Sequence, residues 1–350
     1  MTRRLRIAQV APVATCVPPA LSGSIESATS LLTEGLVQRG HDVTLFATGD
    51  SITSARLHAT FPRGYRDDDS IWPWELCELF NLAAAVERSG DFDIVHYQAE
   101  YYPMSLAFSR TSPVPVVQTL HHAPDPAEIA LWSRYPEAPF IAISSAQAVM
   151  LQGLHVAATI PHALDMGRFP FRAEPDDYLV FLGRFTPGKG VVEAIDVARR
   201  AGLRLRLAAA ANDYYRDVVA PLVDGEHVEY VGEVDHAAKV DLLGRARALL
   251  YPVQAAEPFG LVLAEAMACG TPVAALGLGA VRELVDEGRT GRVFDHLDAM
   301  TAGLSGVMDL DRHVVRSTAE ARFGVEPMVT AHLHAYDTII AAQRARTGGF

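Results

Sequence analysis

Lysine is nearly missing from this chain. Lys189 and Lys239 stand against twenty-eight arginines, so arginine is the default cation and each lysine is an exception. Cysteine is scarce as well. Cys16, Cys77 and Cys269 are scattered and odd in number, which leaves no disulfide framework and no metal spacing and suits a reducing cytoplasm. No apolar run approaches the length of a membrane span. Positive charge is in deficit: the net charge is −12, and residues 1–170 hold eleven arginines, no lysine and seventeen acidic residues. That balance argues against nucleic acid as a main partner and against docking on an anionic membrane. Arg3-Arg4-Leu5-Arg6 precedes an apolar run that Gln9 and Pro12 break, too short for an export signal; it reads as a first strand. No G-x-S-x-G, Walker loop or zinc pattern occurs, and Gly277-Leu278-Gly279 is too short for a dinucleotide fingerprint.

What is present is enough apolar residue for two ordinary domains. The chain has 350 residues, 49% hydrophobic and 21% charged, the balance of a globular enzyme-like protein. One stretch organises it, from Glu257-Pro258-Phe259-Gly260-Leu261 through Glu265 to Cys269-Gly270-Thr271-Pro272-Val273. Pro258 stands where a helix can begin, and Gly260 lets backbone approach a ligand. Leu261 to Cys269 are good helix formers, and Gly270-Thr271-Pro272 stops them. The amides at such a helix start suit an anion, typically phosphate. Glu265, about a turn and a half in, can reach a neutral hydroxyl.

In chain order, Arg6–Val10 and Val43–Ala47 read as strands flanking a helix that ends near Arg39, a βαβ unit. The loop Val17–Glu26 between them carries Gly23 and Ser24. Thr53–Ser70 reads as an irregular surface excursion. Further strands are expected at Asp93–His96 and Val114–Thr119, the latter followed by Leu120-His121-His122 and a Pro-broken loop. Asp91-Phe92-Asp93 has a metal-binding D-x-D form, but Gly90-Asp91 is turn chemistry, and the structural reading is preferred. The domain boundary is expected within Arg168–Asp177, which carries two prolines and no helical period. The pattern then restarts: strand Tyr178–Leu182, loop Gly183–Gly190, helix Val191–Ala201, strand Leu203–Ala209. In that loop Arg184 offers a planar fork for phosphate oxygens and Lys189 a mobile point charge. Alone, R-x4-K is a basic turn. At the C-terminal end of the first strand of a βαβ unit it becomes a phosphate site. Val228–Val234 is a further strand and loop, Ala248–Tyr251 the strand that delivers Glu257, and Ala331–Arg344 a terminal helix.

Glu257-Pro258-Phe259-Gly260 with Glu265, read as E-P-F-G-x4-E, resembles the E-x7-E signature of the retaining glycosyltransferases of family 4. Gly183-Arg184 with Lys189-Gly190 resembles that family's G-R-x4-K-G element. Thr119-Leu120-His121 resembles its T-x-H, and Gly23-Ser24-Ile25-Glu26 its G-G-x-E loop, with Ser24 in place of the second glycine. Ile160-Pro161-His162-Ala163 resembles its I-P-N-G linker, with His-Ala replacing Asn-Gly.

The resemblance implies an α/β GT-B fold, two Rossmann-like doubly wound domains facing across a cleft. Residues 1–170 would form the acceptor-side domain, 171–328 the nucleotide-sugar domain, and 329–350 a helix crossing back to the first. It implies a donor site of Gly23, Ser24, Arg184, Lys189, Val234, Glu257, Phe259, Gly260, Leu261 and Glu265. Arg184 and Lys189 would hold the diphosphate, Glu265 the ribose hydroxyls, Glu257 the sugar hydroxyls, and backbone at Val234 the base. His121 would orient the sugar, making His121, Arg184, Lys189 and Glu257 the catalytic set. No metal or other cofactor is expected, since two cations already face the phosphate. The reaction implied is retaining hexosyl transfer from a nucleotide diphosphate sugar, UDP-glucose first among them, to a small soluble acceptor in the cytoplasm. A nucleotide-sugar epimerase on the same fold and a non-catalytic nucleotide-sugar-binding protein are the alternatives.

Overall fold

A computed structural model describes residues 3–20, 23–99 and 104–347. Leu21 and Ser22 of the Val17–Glu26 loop, and residues 348–350 of the expected terminal segment, lie outside the described residues. The chain divides into two compact units, each built on one parallel sheet. The first runs to Ala163 and resumes at Val325; the second is Leu164–Gly324.

The first sheet contains β1 (Arg6–Val10), β2 (Asp42–Ala47), β3 (Arg56–Ala59), β4 (Ile94–Tyr97), β5 (Val116–Thr119), β6 (Pro139–Ala142) and β7 (His155–Thr159). Their order is β3-β2-β1-β4-β5-β6-β7. β4, β5 and β6 are buried at every position, as strands covered by helices on both faces must be. Ile7, Val43, Ile94, Val117 and Ile141 pack with Leu32 and Leu36 of helix Ser24–Gln38. Val329, Tyr336 and Ile340 of helix Val325–Thr347 join the same core at helical spacing. That burial makes the last helix part of the first unit.

The second sheet contains β8 (Leu179–Leu182), β9 (Leu205–Ala208), β10 (Val228–Gly232), β11 (Ala248–Tyr251), β12 (Val273–Leu276) and β13 (Gly291–Phe294), in the order β10-β9-β8-β11-β12-β13. Leu179, Phe181, Leu207 and Leu250 pack against Val191, Ala194, Ile195 and Ala198 of helix Val191–Ala201. Strand order reverses between β1 and β4 in one sheet and between β8 and β11 in the other. Doubly wound sheets bind ligands just beyond such switch points.

Three local expectations change. The division falls after Ala163 and after Gly324, against 170 and 328 read from the sequence. Two prolines made 168–177 resemble a linker, but the preceding segment is tied to the second unit. Leu164 N donates to Phe323 O at 2.8 Å, Arg316 Nη2 to Met166 O at 3.1 Å and Arg312 Nε to Arg172 O at 2.8 Å. The excursion at 53–70 contains edge strand β3, whose exposed residues give neither alternation nor an apolar run. Helices Leu297–Met308 and Arg312–Phe323 lie where no element was expected. Asp93 is structural: it accepts from Arg6 N at 2.9 Å and Arg3 Nη2 at 2.6 Å.

The first unit also buries an acid. Glu78 of helix Trp74–Glu87 is 1% exposed; its Oε1 accepts from Val13 N at 3.1 Å, and its Oε2 has no partner. Burial pushes its carboxyl up to about 8, and the neighbouring Glu26 adds to the rise. The folded value lies above the unfolded one. Stability contributed by the protonated form is therefore complete below the ordinary carboxyl range and is lost as pH rises toward 8. We predict that Glu78→Gln raises the thermal midpoint at about pH 8.5 and leaves it nearly unchanged at about pH 4. Melts followed by circular dichroism at both values check this. An equal shift at both would contradict it.

Candidate functional site

The second unit's switch point is built from two interlocked loops. One leaves β8 and ends at Gly190; the other leaves β11 and ends at Gly260. Gln254 N donates to Gly188 O at 2.9 Å, which ties them together. Gly190 has φ +76°, and a Cβ there would stand 1.9 Å from Pro252 O. Only glycine permits that contact. Gly279, at φ +62°, lets Ala280 N reach Glu257 O at 2.8 Å.

These contacts bring Lys189 to Glu257. Lys189 Nζ donates to Glu257 Oε2 at 2.5 Å, with side chains 25% and 11% exposed. Tyr251 Oη, at the end of β11, donates to the same oxygen at 2.6 Å. Burial holds the Tyr251 phenol well above its ordinary range, so it remains an O–H donor. Arg184 is exposed at the end of β8 and has no hydrogen bond or ion pair among the described residues. Helix Leu261–Ala268 follows Gly260, whose φ of +89° turns the chain into it. Phe259 is buried, its ring edge-on to Phe323 with centroids 6.4 Å apart.

Glu265 on that helix is 6% exposed. Lys239 Nζ donates to its Oε1 at 2.5 Å. Lys239 belongs to helix His236–Arg245, whose cap Asp235 accepts from Ala238 N at 2.8 Å. Val234, half-buried, immediately precedes that cap. Both lysines of the chain therefore sit on the two glutamates of the eight-residue spacing. Sequence reading missed Tyr251 and Lys239. The signal for Lys239 was its rarity; Tyr251 gave none beyond its place at a strand end. Cys269 is the buried C-cap of helix Leu261–Ala268, and burial pushes its thiol up to about 12, so it is inert.

In the first unit Gly23 caps helix Ser24–Gln38. A Cβ on Gly23 would lie 2.7 Å from Glu26 Oε2 and 2.8 Å from Pro19 Cβ, so space demands glycine. Ser24 is the first helical residue and is exposed. His121 follows β5 and stacks on His162, with centroids 5.2 Å apart and planes 2° from parallel. Its Nε2 lies 3.1 Å from Gln98 Oε1, while its Nδ1 is buried without a partner. Behind it runs a buried polar chain. Gln98 Nε2 donates to Gln9 Oε1 at 3.2 Å, Gln9 Nε2 donates to Tyr336 Oη at 2.9 Å, and Tyr336 Oη lies 2.6 Å from His96 Nδ1. His332 of helix Val325–Thr347 lies beside His96, ring centroids 5.6 Å apart, and burial lowers all four imidazoles: His96 and His121 fall well below the ordinary range, His162 and His332 to about 4. The cluster is uncharged at neutral pH.

Among the described residues, no group of three or more His, Cys, Asp or Glu side chains is placed to hold a metal, and no helix is long and apolar enough to cross a membrane.

Two family models match this chain. The model described as Glycosyltransferase Family 4 covers residues 25–168, and that described as Glycosyl transferases group 1 covers 168–317. A phosphatidyl-myo-inositol mannosyltransferase of Mycolicibacterium smegmatis is 27% identical over 98% of this chain and 93% of its own. A solved glycosyltransferase involved in avilamycin A biosynthesis is 25% identical, with TM-score 0.73 over 96% of this chain and 98% of its own. An Anabaena protein solved in complex with UDP and glucose is 19% identical, with TM-score 0.70 over 95% of this chain and 100% of its own, and shares the fold. The two family matches together run over residues 25–317, and the chain belongs to the family 4 glycosyltransferases of the GT-B fold.

Proposed function

We propose that this glycosyltransferase moves a hexosyl group, with retention of anomeric configuration, from UDP-glucose to a small soluble acceptor, without a metal. The observation that carries the reading is the Lys189–Glu257 ion pair at the switch point of the second sheet, with Arg184 exposed just beyond the end of β8. Arg184 has no protein partner among the described residues, so its fork is open to phosphate oxygens. Among the described residues Lys189 pairs with Glu257 alone, and its remaining N–H bonds serve the diphosphate. Charge grows on the leaving diphosphate as the glycosidic bond breaks, and both cations then stabilise it more strongly than in the ground state.

Glu257 accepts from sugar hydroxyls, fixed on one side by Tyr251. Glu265 accepts from the ribose hydroxyls. Backbone of Phe259, Gly260 and Leu261 at the helix start supports the diphosphate end, and Val234 meets the base. His121 orients the sugar. Its neutral ring, with a bare nitrogen, suits a hydroxyl rather than a phosphate. Gly23 and Ser24, at the start of helix Ser24–Gln38, belong to the donor site, as the family resemblance implies. The donor assignment rests on the family resemblance.

For the acceptor, the acidic first half of the chain opposes an anionic lipid surface. The 25% identical glycosyltransferase involved in avilamycin A biosynthesis fits this reading, whereas the 27% identical mannosyltransferase is named for phosphatidyl-myo-inositol, a lipid. Three unpaired cysteines fit action in the cytoplasm.

Two outcomes check this reading. Lys189→Ala should weaken UDP binding by about tenfold or more, with uridine binding unchanged, because the lost contact is to the diphosphate. Calorimetric titration of both ligands into folded protein measures it, and equal weakening of both would contradict the diphosphate assignment. Retention predicts that UDP-α-glucose yields an α-linked product. The anomeric proton coupling of the isolated product reads this directly, and a β-linked product would overturn the retaining mechanism.

A further inference from the structure

We propose that Lys239 is a specificity-determining positioning residue: it holds one oxygen of Glu265 so that the carboxylate can select ribose over 2′-deoxyribose in the donor nucleotide. The inference rests on the reading of Glu265 as the ribose-binding residue.

The geometry is that of a lysine brought to a buried acid from a neighbouring helix. Glu265 is 6% exposed, and Lys239 Nζ meets its Oε1 at 2.5 Å from 26 residues away in sequence. The two helices are fixed against each other at more than this pair. Thr271 Oγ1 donates to Leu243 O at 2.6 Å, and the Gly244 backbone comes close enough that a Cβ there would meet Cys269 Cβ at 3.9 Å. Lys239 is therefore delivered by a rigid support.

Glu265 alone would be a poor ribose ligand. A carboxylate buried without a counter-charge is costly, and a second negative charge near a diphosphate opposes binding. Lys239 answers both by neutralising the carboxylate in place. It also takes Oε1, which leaves Oε2 to accept from the ribose diol. The helix that carries Lys239 begins directly after Val234 and Asp235, the loop read as facing the base. The ion pair thus ties the base-side loop to the ribose-side helix. Arginine, the default cation of this chain, would bring a broad fork that competes for both carboxylate oxygens. A lysine point charge leaves one oxygen open.

The test measures binding of UDP and 2′-deoxy-UDP, with GDP and 2′-deoxy-GDP run alongside, to wild type, Lys239→Met and Glu265→Gln. Wild type should prefer the ribonucleotide by about tenfold or more. Lys239→Met should bring that preference to within about twofold, while circular dichroism shows a folded protein. A merely structural ion pair would lower the melting temperature of Lys239→Met and leave the preference intact, and that result would overturn the proposal. Glu265→Gln separates the two readings. Loss of preference in Glu265→Gln but not in Lys239→Met sinks the role of Lys239 alone. An unchanged preference in Glu265→Gln sinks the ribose reading of Glu265 and this proposal with it. Should Lys239→Met fail to fold, Lys239→Gln takes its place with the same criteria.

Discussion

Two carboxylates in one segment, each met by a lysine at 2.5 Å, are the constraint on which the rest of the second unit depends. A sugar nucleotide presents neutral hydroxyls, of the sugar and of the ribose, on either side of its negatively charged diphosphate. Carboxylates are good acceptors for hydroxyls and bad neighbours for phosphates. Placing an ammonium on each glutamate keeps the acceptor strength and removes the repulsion. The loops serve this requirement. Gly190 allows the lysine loop to lie on Pro252, Gly279 allows Glu257 to be gripped by its backbone, and Tyr251 fixes the carboxylate from the buried side.

The first unit handles polarity differently. Gln9, Gln98, His96 and Tyr336 form an uncharged buried chain that ends at His121. Burial keeps those imidazoles neutral, so the network can be fully enclosed without paying for charge. Tyr336 enters it from the last helix, which explains in packing terms why the chain returns to the first unit.

Much of this was legible in the sequence, and the rest was hidden for physical reasons. Apolar runs such as Leu179–Leu182 and Ala248–Tyr251 declared buried parallel strands, and the glycine–proline punctuation around Glu257 declared a loop and helix. The helix expected over Leu261–Cys269 forms at Leu261–Ala268. Exposed β3 lacked any hydrophobic signal. The boundary at Ala163 was obscured because prolines near 170 look like a linker while arginines 316 and 312, far away in sequence, hold that segment down. Arg184, Lys189, Glu257 and Glu265 could be named as a set, but not who pairs with whom. The Lys239–Glu265 contact depends on the packing of two helices, which local pattern does not encode.

The scarcity of lysine makes the central claim directly measurable. Protein grown with 13C-lysine gives two lysine side-chain signals, assigned by changing either residue to arginine. The account predicts that UDP at saturating concentration moves the Lys189 signal, as its ammonium takes up the diphosphate. Saturating UDP with both signals unmoved would contradict a donor site built on these lysine–glutamate pairs.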